Sequence, residues 1–568
     1  MNILHKTTLV GLMTSLTLGA CTSNFEEMNT NPNLIGEDDA SAKYFLTELM
    51  IRPYIPARYA YWRANIIHTD RYAGHFTFGQ NGNWWSDELG YSYNVAYTDA
   101  AWDHYNGLLG TVKQLLDFTQ PGGAFENELT HAVVLILKSH YFQLYTDTFG
   151  MIPYSDVFSD EDISLPKFDT QKEIYMGIIA DLDAAMAAIG DNTTTGDALE
   201  NLGDNDVIYG GDLQKWKRFA NTLKLKMAMR AQGAEGDDFS QAAINEALAA
   251  PLLEEGESAL IPKDLEISQW DYSTYGDIWH NFGAGSDWTV GEELVSFLRD
   301  NNDPRLDQYV KPSEGGEFTL TRPDQAEDEE GYTLFPKRTN FLKEVFDEAG
   351  ATYTWDDQGD AIVINMPENT NYIGQPVRLS GEMSQLLPFG FFCKPSDMVI
   401  QQKNQGGSAT PETVLLSAES YFLQAEAALR GIGSGDAQEL YQMGIKEAMR
   451  VWSVDDAAID TYLAEEPMAQ LNGTMEENLE KLAIQRWIAH YTDGYEAWAI
   501  VRDTGYPASL AAGVSDYELY GPGTITAGGY PQRLRYGSSL QASNPENYGD
   551  ANSIQGPDMQ GTKLWWAK

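Results

Sequence analysis

The amino-acid sequence predicts a mainly α-helical protein in which paired helices form a scaffold for long loops. Apolar residues recur at helical spacing, and bulky and small residues alternate on the helix faces, as in tetratricopeptide-like helix pairs. No clean repeat of about 34 residues is visible, so any repeats have diverged. The segments that carry the helical pattern are 129–144, 174–189, 212–230, 412–430, 437–451 and 476–490.

The middle of the chain departs from this helical pattern. Between about residues 255 and 400, Gly, Pro, Asn and aromatic residues become more frequent and the helical period fades. Two short runs, 332–335 and 361–364, predict strands. Long loops on a rigid scaffold are usually functional. We therefore expect a single domain over residues 41–568, in which a helical scaffold holds long loops and the irregular insert at about 255–400.

The N-terminal residues predict export. Residues 1–20 combine a basic start, a short apolar run and small residues, as a secretory signal peptide does. The segment Leu18-Gly19-Ala20-Cys21 is similar to a bacterial lipobox, in which the cysteine becomes the first residue and carries lipid. A lipid on Cys21 anchors a chain to a membrane without spanning it. The polar composition of residues 21–40 predicts a lipidated tether.

The composition excludes several classes of ligand. Asp and Glu number 84 against 37 Lys and Arg, which gives a formal net charge of −47. Such a surface repels phosphate backbones, so no nucleic-acid partner is expected. Neutral glycans suit this charge better than sulfated or uronic ones. The second of the two cysteines, Cys393, has apolar neighbours, which predicts an inert buried thiol.

Two segments concentrate aromatic residues without a helical or alternating period. They are Asn81–Asn94, with the sequence NGNWWSDELGYSYN, and Gln269–Trp288. A flat aromatic ring edged by amides and carboxylates matches a sugar ring, because stacking removes the apolar sugar face from water. Tyr353 and Trp355 form a weaker third group. The predicted glycan-binding residues are Asn81, Trp84, Trp85, Tyr91, Trp270, Tyr272, Tyr275, Trp279 and Trp288.

Motifs that run almost from end to end of the chain point to one family. They are the lipobox, FEEMNTNPN (25–33), YTDTFGMIPYSDVF (145–158), IYGGDLQKWKRFANTLKLKMAMR (208–230), NDPRL (302–306), ETVLLSAESYFLQAEAALRG (412–431), QRWIAHYTDGYEAWAIVRDTGYP (485–507), QRLRYGSS (532–539) and TKLWWAK (562–568). In their order and spacing the chain resembles the SusD/RagB-like proteins. These are surface glycan-binding lipoproteins of Bacteroidetes polysaccharide-uptake systems.

The resemblance implies a fold, a location and a partner. The implied SusD-like fold is a tetratricopeptide-like right-handed helical scaffold with an irregular, ligand-facing side. The implied location is the outer membrane, with a lipid anchor at Cys21 and the protein facing the cell exterior. Family members capture oligosaccharides, or less often peptides, and deliver them to a SusC-like TonB-dependent transporter. They catalyse nothing, so the resemblance predicts no enzyme activity.

The sequence also lacks the motifs of common catalytic sites. It contains no H-E-x-x-H, G-x-S-x-G or G-x-G-x-x-G pattern and no Walker loop, so no catalytic residue, metal or cofactor is expected. Asp204-Asn205-Asp206 and Asp300 to Asp303 could each hold a structural Ca²⁺. Two alternatives stay open: a peptide-binding lid subunit of the same transporter type, and a secreted glycoside hydrolase. Carboxylate pairs are too frequent among 84 acidic residues to support or exclude the hydrolase.

Several other motif residues predict packing rather than ligand contact. The Asp303-Pro304-Arg305 segment predicts a capped turn with a buried arginine. His131 and His140 are predicted to be polar helix positions rather than metal ligands. The residues expected inside helix pairs are Trp216, Trp487, Trp498 and Arg502.

Overall fold

The fold is mainly helical. The computed structural model describes residues 40–54, 62–78, 91–159, 161, 163–262, 275–276, 279, 288–401 and 409–567. The α-helices before residue 255 are α1 (Lys43–Ile51), α2 (Asp70–Tyr72), α3 (Val95–Thr119), α4 (Glu128–Phe149), α5 (Gln171–Ile189), α6 (Leu213–Ala231) and α7 (Ser240–Leu248). Those from 255 to 400 are α8 (Glu292–Asp300), α9 (Leu306–Tyr309), α10 (Glu329–Glu348) and α11 (Gly381–Leu386). The C-terminal ones are α12 (Ser417–Leu429), α13 (Ala437–Val451), α14 (Asp456–Glu465), α15 (Met475–Ala489), α16 (Gly494–Thr504), α17 (Ala508–Ala511), α18 (Leu540–Ser543) and α19 (Pro545–Gln555).

The strands are short and form small antiparallel sheets. They are β1 (Phe76–Phe78), β2 (Ile152–Pro153), β3 (Phe168–Asp169), β4 (Ala259–Ile261), β5 (Trp288–Val290), β6 (Val310–Lys311), β7 (Gly316–Thr321), β8 (Thr354–Asp357), β9 (Ala361–Met366), β10 (Lys394–Pro395) and β11 (Glu412–Leu415). The pairs are β1 with β5, β2 with β3, β4 with β11 and β6 with β10, while β9 lies between β7 and β8. Most of these strands fall between residues 255 and 400, where the helical period fades.

Local signals in the sequence explain where the long helices begin. The side chain of Asn127 accepts hydrogen bonds from the backbone N–H groups of the first turn of α4. Thr170 before α5 and Thr474 before α15 each form a capping box with a glutamate three residues later. These caps satisfy N–H groups that have no partner inside the helix.

Neighbouring helices pack in pairs around a common core. Helix α4 packs on α5, α5 on α6, α12 on α13 and α15 on α16. Between the pairs, α12 also contacts α6 and α15. The predicted tetratricopeptide-like helical scaffold is confirmed by this arrangement. Its core holds large side chains that are almost completely buried, including Trp216, Trp487 and Trp498.

Two of the predicted elements are wrong in part. Residues 332–335 were expected to form a strand, but they lie in α10, because Phe335, Leu342 and Phe346 complete a helical stripe that the four-residue run does not reveal. Residues 412–430 were expected to be one helix, but the first four form β11, which pairs with β4. The β-branched Thr413 and Val414 suit a buried strand. The strand predicted at 361–364 is confirmed within β9.

The predicted packing residues are confirmed. Arg305 is buried and donates hydrogen bonds to Asp303, which makes the expected turn. Arg502 is also buried and donates to the carbonyl of Asp147 at 2.7 Å. Both histidines lie on α4: His131 contacts the Thr119 hydroxyl at 2.9 Å, and burial lowers the pKa of His140 to about 3.

No helix within the described part of the chain is both long enough and apolar enough to cross a membrane.

Candidate ligand-binding face

The residues that border the two aromatic segments pair in the ladder between β1 and β5. In this antiparallel pair Phe78, the last residue of β1, lies opposite Trp288, the first residue of β5. Phe78 stands three residues before Asn81 in the chain, and Trp288 is the last residue of the second aromatic segment. We call this ladder, together with Tyr91, Tyr275 and Trp279, the aromatic face.

Buried rings and backbone hydrogen bonds hold the ladder in place. The ring of Phe76 meets Trp288 edge-on, with ring centres 4.8 Å apart. On its other side β5 is bonded through Val290, whose N–H donates to the carbonyl of Cys393 and whose carbonyl accepts from Gln375. Paired on both sides, β5 is a fixed support for the segment that precedes it.

Tyr91 anchors the end of the first segment from inside the protein. Its side chain is 3% exposed, and its hydroxyl donates to the carbonyl of Arg71 at 2.9 Å. The guanidinium groups of Arg71 and Arg378 lie 5.4 and 4.9 Å from the ring centre. Its backbone has a φ of 59°, which is strained for a bulky residue and which the surrounding contacts must hold.

Tyr275 anchors the second segment in a similar way. The ring is buried against Phe76 and Trp288, and the hydroxyl lies 3.0 Å from Asp70 Oδ2 and 2.9 Å from the Thr492 carbonyl. Burial raises the pKa of Asp70 to about 7, which the hydrogen bond from Tyr275 partly offsets. The carboxyl group accepts that bond in either protonation state.

These positions correct part of the sequence prediction. Tyr91, Tyr275 and Trp288 are buried in the hydrophobic core, so their faces are not available to stack on a sugar. Loop spacing alone did not reveal that these rings would pack inward. Trp279 is only partly buried and meets Trp288 edge-on at 5.2 Å. The other predicted contacts lie outside the described residues: Asn81, Trp84, Trp85, Trp270 and Tyr272.

The third aromatic group lies elsewhere, on the sheet of β7, β9 and β8. Tyr353 and Trp355 are partly buried, with ring centres 6.3 Å apart. The hydroxyl of Tyr353 donates to Asp347. Among the described residues, the ring contacts of this pair are with each other and with Phe346.

A buried charge cluster joins α12, the C-terminal end of α15 and the N-terminal end of α16. Arg486 donates to both carboxylate oxygens of Glu419, and His490 contacts Asp493 at 2.8 Å. Burial alone would lower the pKa of His490, but Asp493 and Glu419 raise it to about 9. The imidazole is therefore charged at neutral pH, and the cluster holds α15 against α16 and α12.

Sequence reasoning missed an acidic cleft of about 490 Å³ at the other end of β5. Glu292 and Glu293 begin α8 and line the cleft together with Phe297 and Ile373. Burial and then the neighbouring Glu293 raise the pKa of Glu292 to about 8, and burial also raises that of Glu293. The Glu-Glu pair is visible in the sequence, but 84 acidic residues hide it. A protonated carboxyl group can donate a hydrogen bond to a hydroxyl-bearing ligand and can also accept one from it.

In each of the two segments considered for Ca²⁺, one carboxylate is buried and hydrogen-bonded inside the protein. Asp206 accepts from three backbone N–H groups and, at 2.7 Å, from the indole of Trp216. Asp303 is bonded to Arg305. Cys393 is completely buried, and burial raises its thiol pKa to about 12, as expected for an inert cysteine.

Comparison with protein families identifies the chain. A profile of a SusD-like family, described as "Starch-binding associating with outer membrane", matches residues 48–342 and 361–536. The chain belongs to this SusD-like family. A comparison with curated proteins finds no match.

Solved structures that include SusD homologues share the fold of this chain. A chitin-binding protein is 22% identical with a TM-score of 0.69, and the alignment covers 93% of this chain and 99% of that one. A chitin-binding SusD homologue from Flavobacterium johnsoniae is 22% identical with a TM-score of 0.69, covering 92% and 98%. A SusD homologue from Bacteroides uniformis ATCC 8492 is 21% identical with a TM-score of 0.69, covering 93% and 99%.

Proposed function

We propose that this SusD-like protein is a non-catalytic, cell-surface lipoprotein that captures a neutral oligosaccharide and delivers it to a SusC-like TonB-dependent transporter. The observation that supports the proposal is the pairing of Phe78, three residues before the first aromatic segment, with Trp288, the last residue of the second. A glycan chain needs several aromatic rings within reach of successive sugars. We propose that the two segments supply these rings.

The proposed ligand contacts divide into two groups. We assign stacking and hydrogen bonding to the other predicted residues, while the buried Tyr91, Tyr275 and Trp288 act as internal supports. Covering roughly 60 Å² of apolar surface per ring contributes about 1.5 kcal/mol at ~25 cal/mol per Å², which is about tenfold in affinity. The proposed ligand contacts are Asn81, Trp84, Trp85, Trp270, Tyr272 and Trp279.

A neutral ligand, and a chitin-like one first, fits the charge of the protein. A net charge of −47 disfavours sulfated and uronic chains. Two of the similar structures are described as chitin-binding, which makes N-acetylglucosamine chains the first ligand to test. Lipidation at Cys21 and the external outer-membrane location are part of the same proposal, supported by the lipobox and by the family description.

An affinity-gel screen of the chain from residue 22 tests the proposal. Neutral polysaccharides, including a soluble chitin derivative, and acidic ones are cast into native gels, and the same mixtures are analysed for new reducing ends. We expect retardation by a neutral glycan and no new reducing ends. A hydrolase would release them, and the Glu292 and Glu293 cleft is where an acid pair would be examined first. If no glycan retards the protein and peptides bind to it, the peptide-binding alternative would be favoured.

A further inference from the structure

Three consecutive residues, Asp70, Arg71 and Tyr72, contact both aromatic segments. They form the short helix α2, between the π-helix Trp62–Thr69 and β1. Nothing in their sequence marks them as part of a ligand site. All three side chains are buried, so they would not contact a ligand directly. Their contacts nevertheless reach Tyr91 at the end of one segment and Tyr275 within the other.

The first segment is held by Arg71 and Tyr72. The Arg71 carbonyl accepts the Tyr91 hydroxyl bond, and its guanidinium group lies over the Tyr91 ring. Tyr72 meets the same ring edge-on, with ring centres 5.0 Å apart. Arg378 covers the ring from another element and donates to the carbonyls of residues 522, 528 and 529.

The second segment is held by Asp70. Its Oδ2 atom lies 3.0 Å from the Tyr275 hydroxyl, which also reaches the carbonyl of Thr492. The residues that hold the two segments are therefore direct neighbours in the chain. The backbone of α2 therefore fixes the spacing of the groups that hold the two anchors.

The scaffold fixes α2 in turn. The Tyr72 ring packs on Trp498 with centres 5.2 Å apart, and its hydroxyl accepts from Gln560 at 3.0 Å. Gly494, at the start of α16, approaches so closely that a Cβ atom there would lie 2.4 Å from the backbone nitrogen of Asp70. Helix α2 therefore cannot move independently of α16.

We propose that α2 is a positioning element of the glycan site, which holds Tyr91 of one aromatic segment and Tyr275 of the other through the hydroxyl groups of these two tyrosines. This inference rests on the proposed function. Freeing either anchor disturbs the relative placement of the two segments. Freeing both adds little, since the placement is already lost. The two anchors are therefore coupled in ligand binding.

The test is a double-mutant cycle in glycan affinity. Tyr91→Phe, Tyr275→Phe and the double variant are titrated with the glycan that the affinity gel identifies, and thermal unfolding is recorded for each. We expect each single change to weaken glycan binding about three- to tenfold. The double variant should bind no more than about twofold more weakly than the weaker-binding of the two single variants. Tyr441→Phe is the matched control, because it removes a buried hydroxyl bond to the Met468 carbonyl on the scaffold. The control should lower the melting temperature to a similar extent without changing affinity.

A conservative exchange at Asp70 provides a second readout. Asp70→Asn keeps an oxygen acceptor for Tyr275 and should retain affinity within about twofold, whereas Asp70→Ala should match Tyr275→Phe. Multiplicative losses in the double variant, or unchanged affinity in all variants, would overturn the positioning role while leaving glycan binding intact. If the unsubstituted chain binds no glycan, both the proposed function and this inference fail.

Discussion

The helical scaffold and the aromatic face both bury tryptophans, but they differ in whether the buried indole N–H group has a hydrogen-bond acceptor. On the scaffold, Trp216 donates to Asp206, Trp487 to the Ala73 carbonyl and Trp498 to the Pro531 carbonyl, at 2.7 to 2.9 Å. The indole N–H of Trp288 on the face is buried without an acceptor in the described part of the chain. Scaffold rings are thus fixed by hydrogen bonds as well as packing, while Trp288 depends on ring contacts.

The same contrast holds for charge. On the scaffold Glu496 joins α16 to α6 by accepting from Lys226 and Arg230, and all three side chains are about 2% exposed. At the face the anchors are hydrogen bonds from the hydroxyl groups of Tyr91 and Tyr275. The difference suggests that changes on the scaffold act on stability, whereas changes at the exposed rings of the face act on binding. The following predictions test that separation, from the largest effect to the smallest.

Glu496→Ala should cause the largest loss of stability. It leaves Lys226 and Arg230 buried with one partner fewer, which typically costs about 3–5 kcal/mol. Urea unfolding followed by circular dichroism measures the loss. Glu48→Ala, which removes an exposed pair with Arg52, is the control and should cost less than about 1 kcal/mol. Equal effects of the two changes would contradict a buried network on the scaffold.

Trp288→Ala should lower both stability and glycan affinity. Truncating a buried tryptophan costs about 3–5 kcal/mol because a cavity remains, and here the loss also removes the ring on which Phe76, Tyr275 and Trp279 pack. Thermal unfolding and titration of the same sample separate the two effects. An unchanged melting temperature would mean that Trp288 is not a core residue.

Stability should fall as the pH rises from about 7 to about 9. The folded pKa of His490, about 9, lies above the ordinary value of 6.5, so its contribution is complete below pH 6.5 and is lost as the pH passes through about 9. Asp70, with its folded pKa near 7, acts mainly at lower pH. The folded pKa of Glu292, about 8, adds a decrease of the same sign that ends near pH 8. Urea unfolding at pH 7.0, 8.5 and 9.5 should show the decrease, and His490→Gln should flatten the part above pH 8.5. A slope above pH 8.5 that survives this substitution would assign the effect to another group.

The Cys393 thiol should not react with a thiol reagent in the folded protein, which is the smallest of the expected effects. Its side chain is completely buried, and its pKa is raised to about 12 by burial. A chromogenic thiol reagent at pH 8 should react only after denaturation. Rapid labelling of the folded chain from residue 22 would show that the cysteine is accessible.

Much of the fold could be predicted because helices leave a periodic signal. The stripes on α4, α5 and α6 and the ends of α13 follow from apolar spacing and caps. The sequence did not separate β11 from α12, because a buried strand followed directly by a helix presents one continuous apolar run. It also misassigned part of α10, where four residues were too few to distinguish a strand from a helix.

The site could be predicted only as a set of segments. Aromatic density located both segments, yet the inward orientation of Tyr91, Tyr275 and Trp288 depends on contacts with Arg71, Asp70 and Phe76, which lie far away in sequence. The strand pairing that joins the segments spans more than two hundred residues. No local pattern encodes such a pairing. The acidic cleft was missed for a related reason, since its walls come from α8, α10 and the chain near Ile373.

The most direct test of the account is a calorimetric titration of Trp84→Ala/Trp85→Ala, alongside Trp270→Ala and the unsubstituted chain, with the glycan retained in the affinity gel. The account predicts at least about tenfold weaker binding for both variants, with melting temperatures that stay close to that of the unsubstituted chain. Unchanged affinity would contradict a glycan site on the aromatic face. A large fall in melting temperature would instead assign these rings to the core.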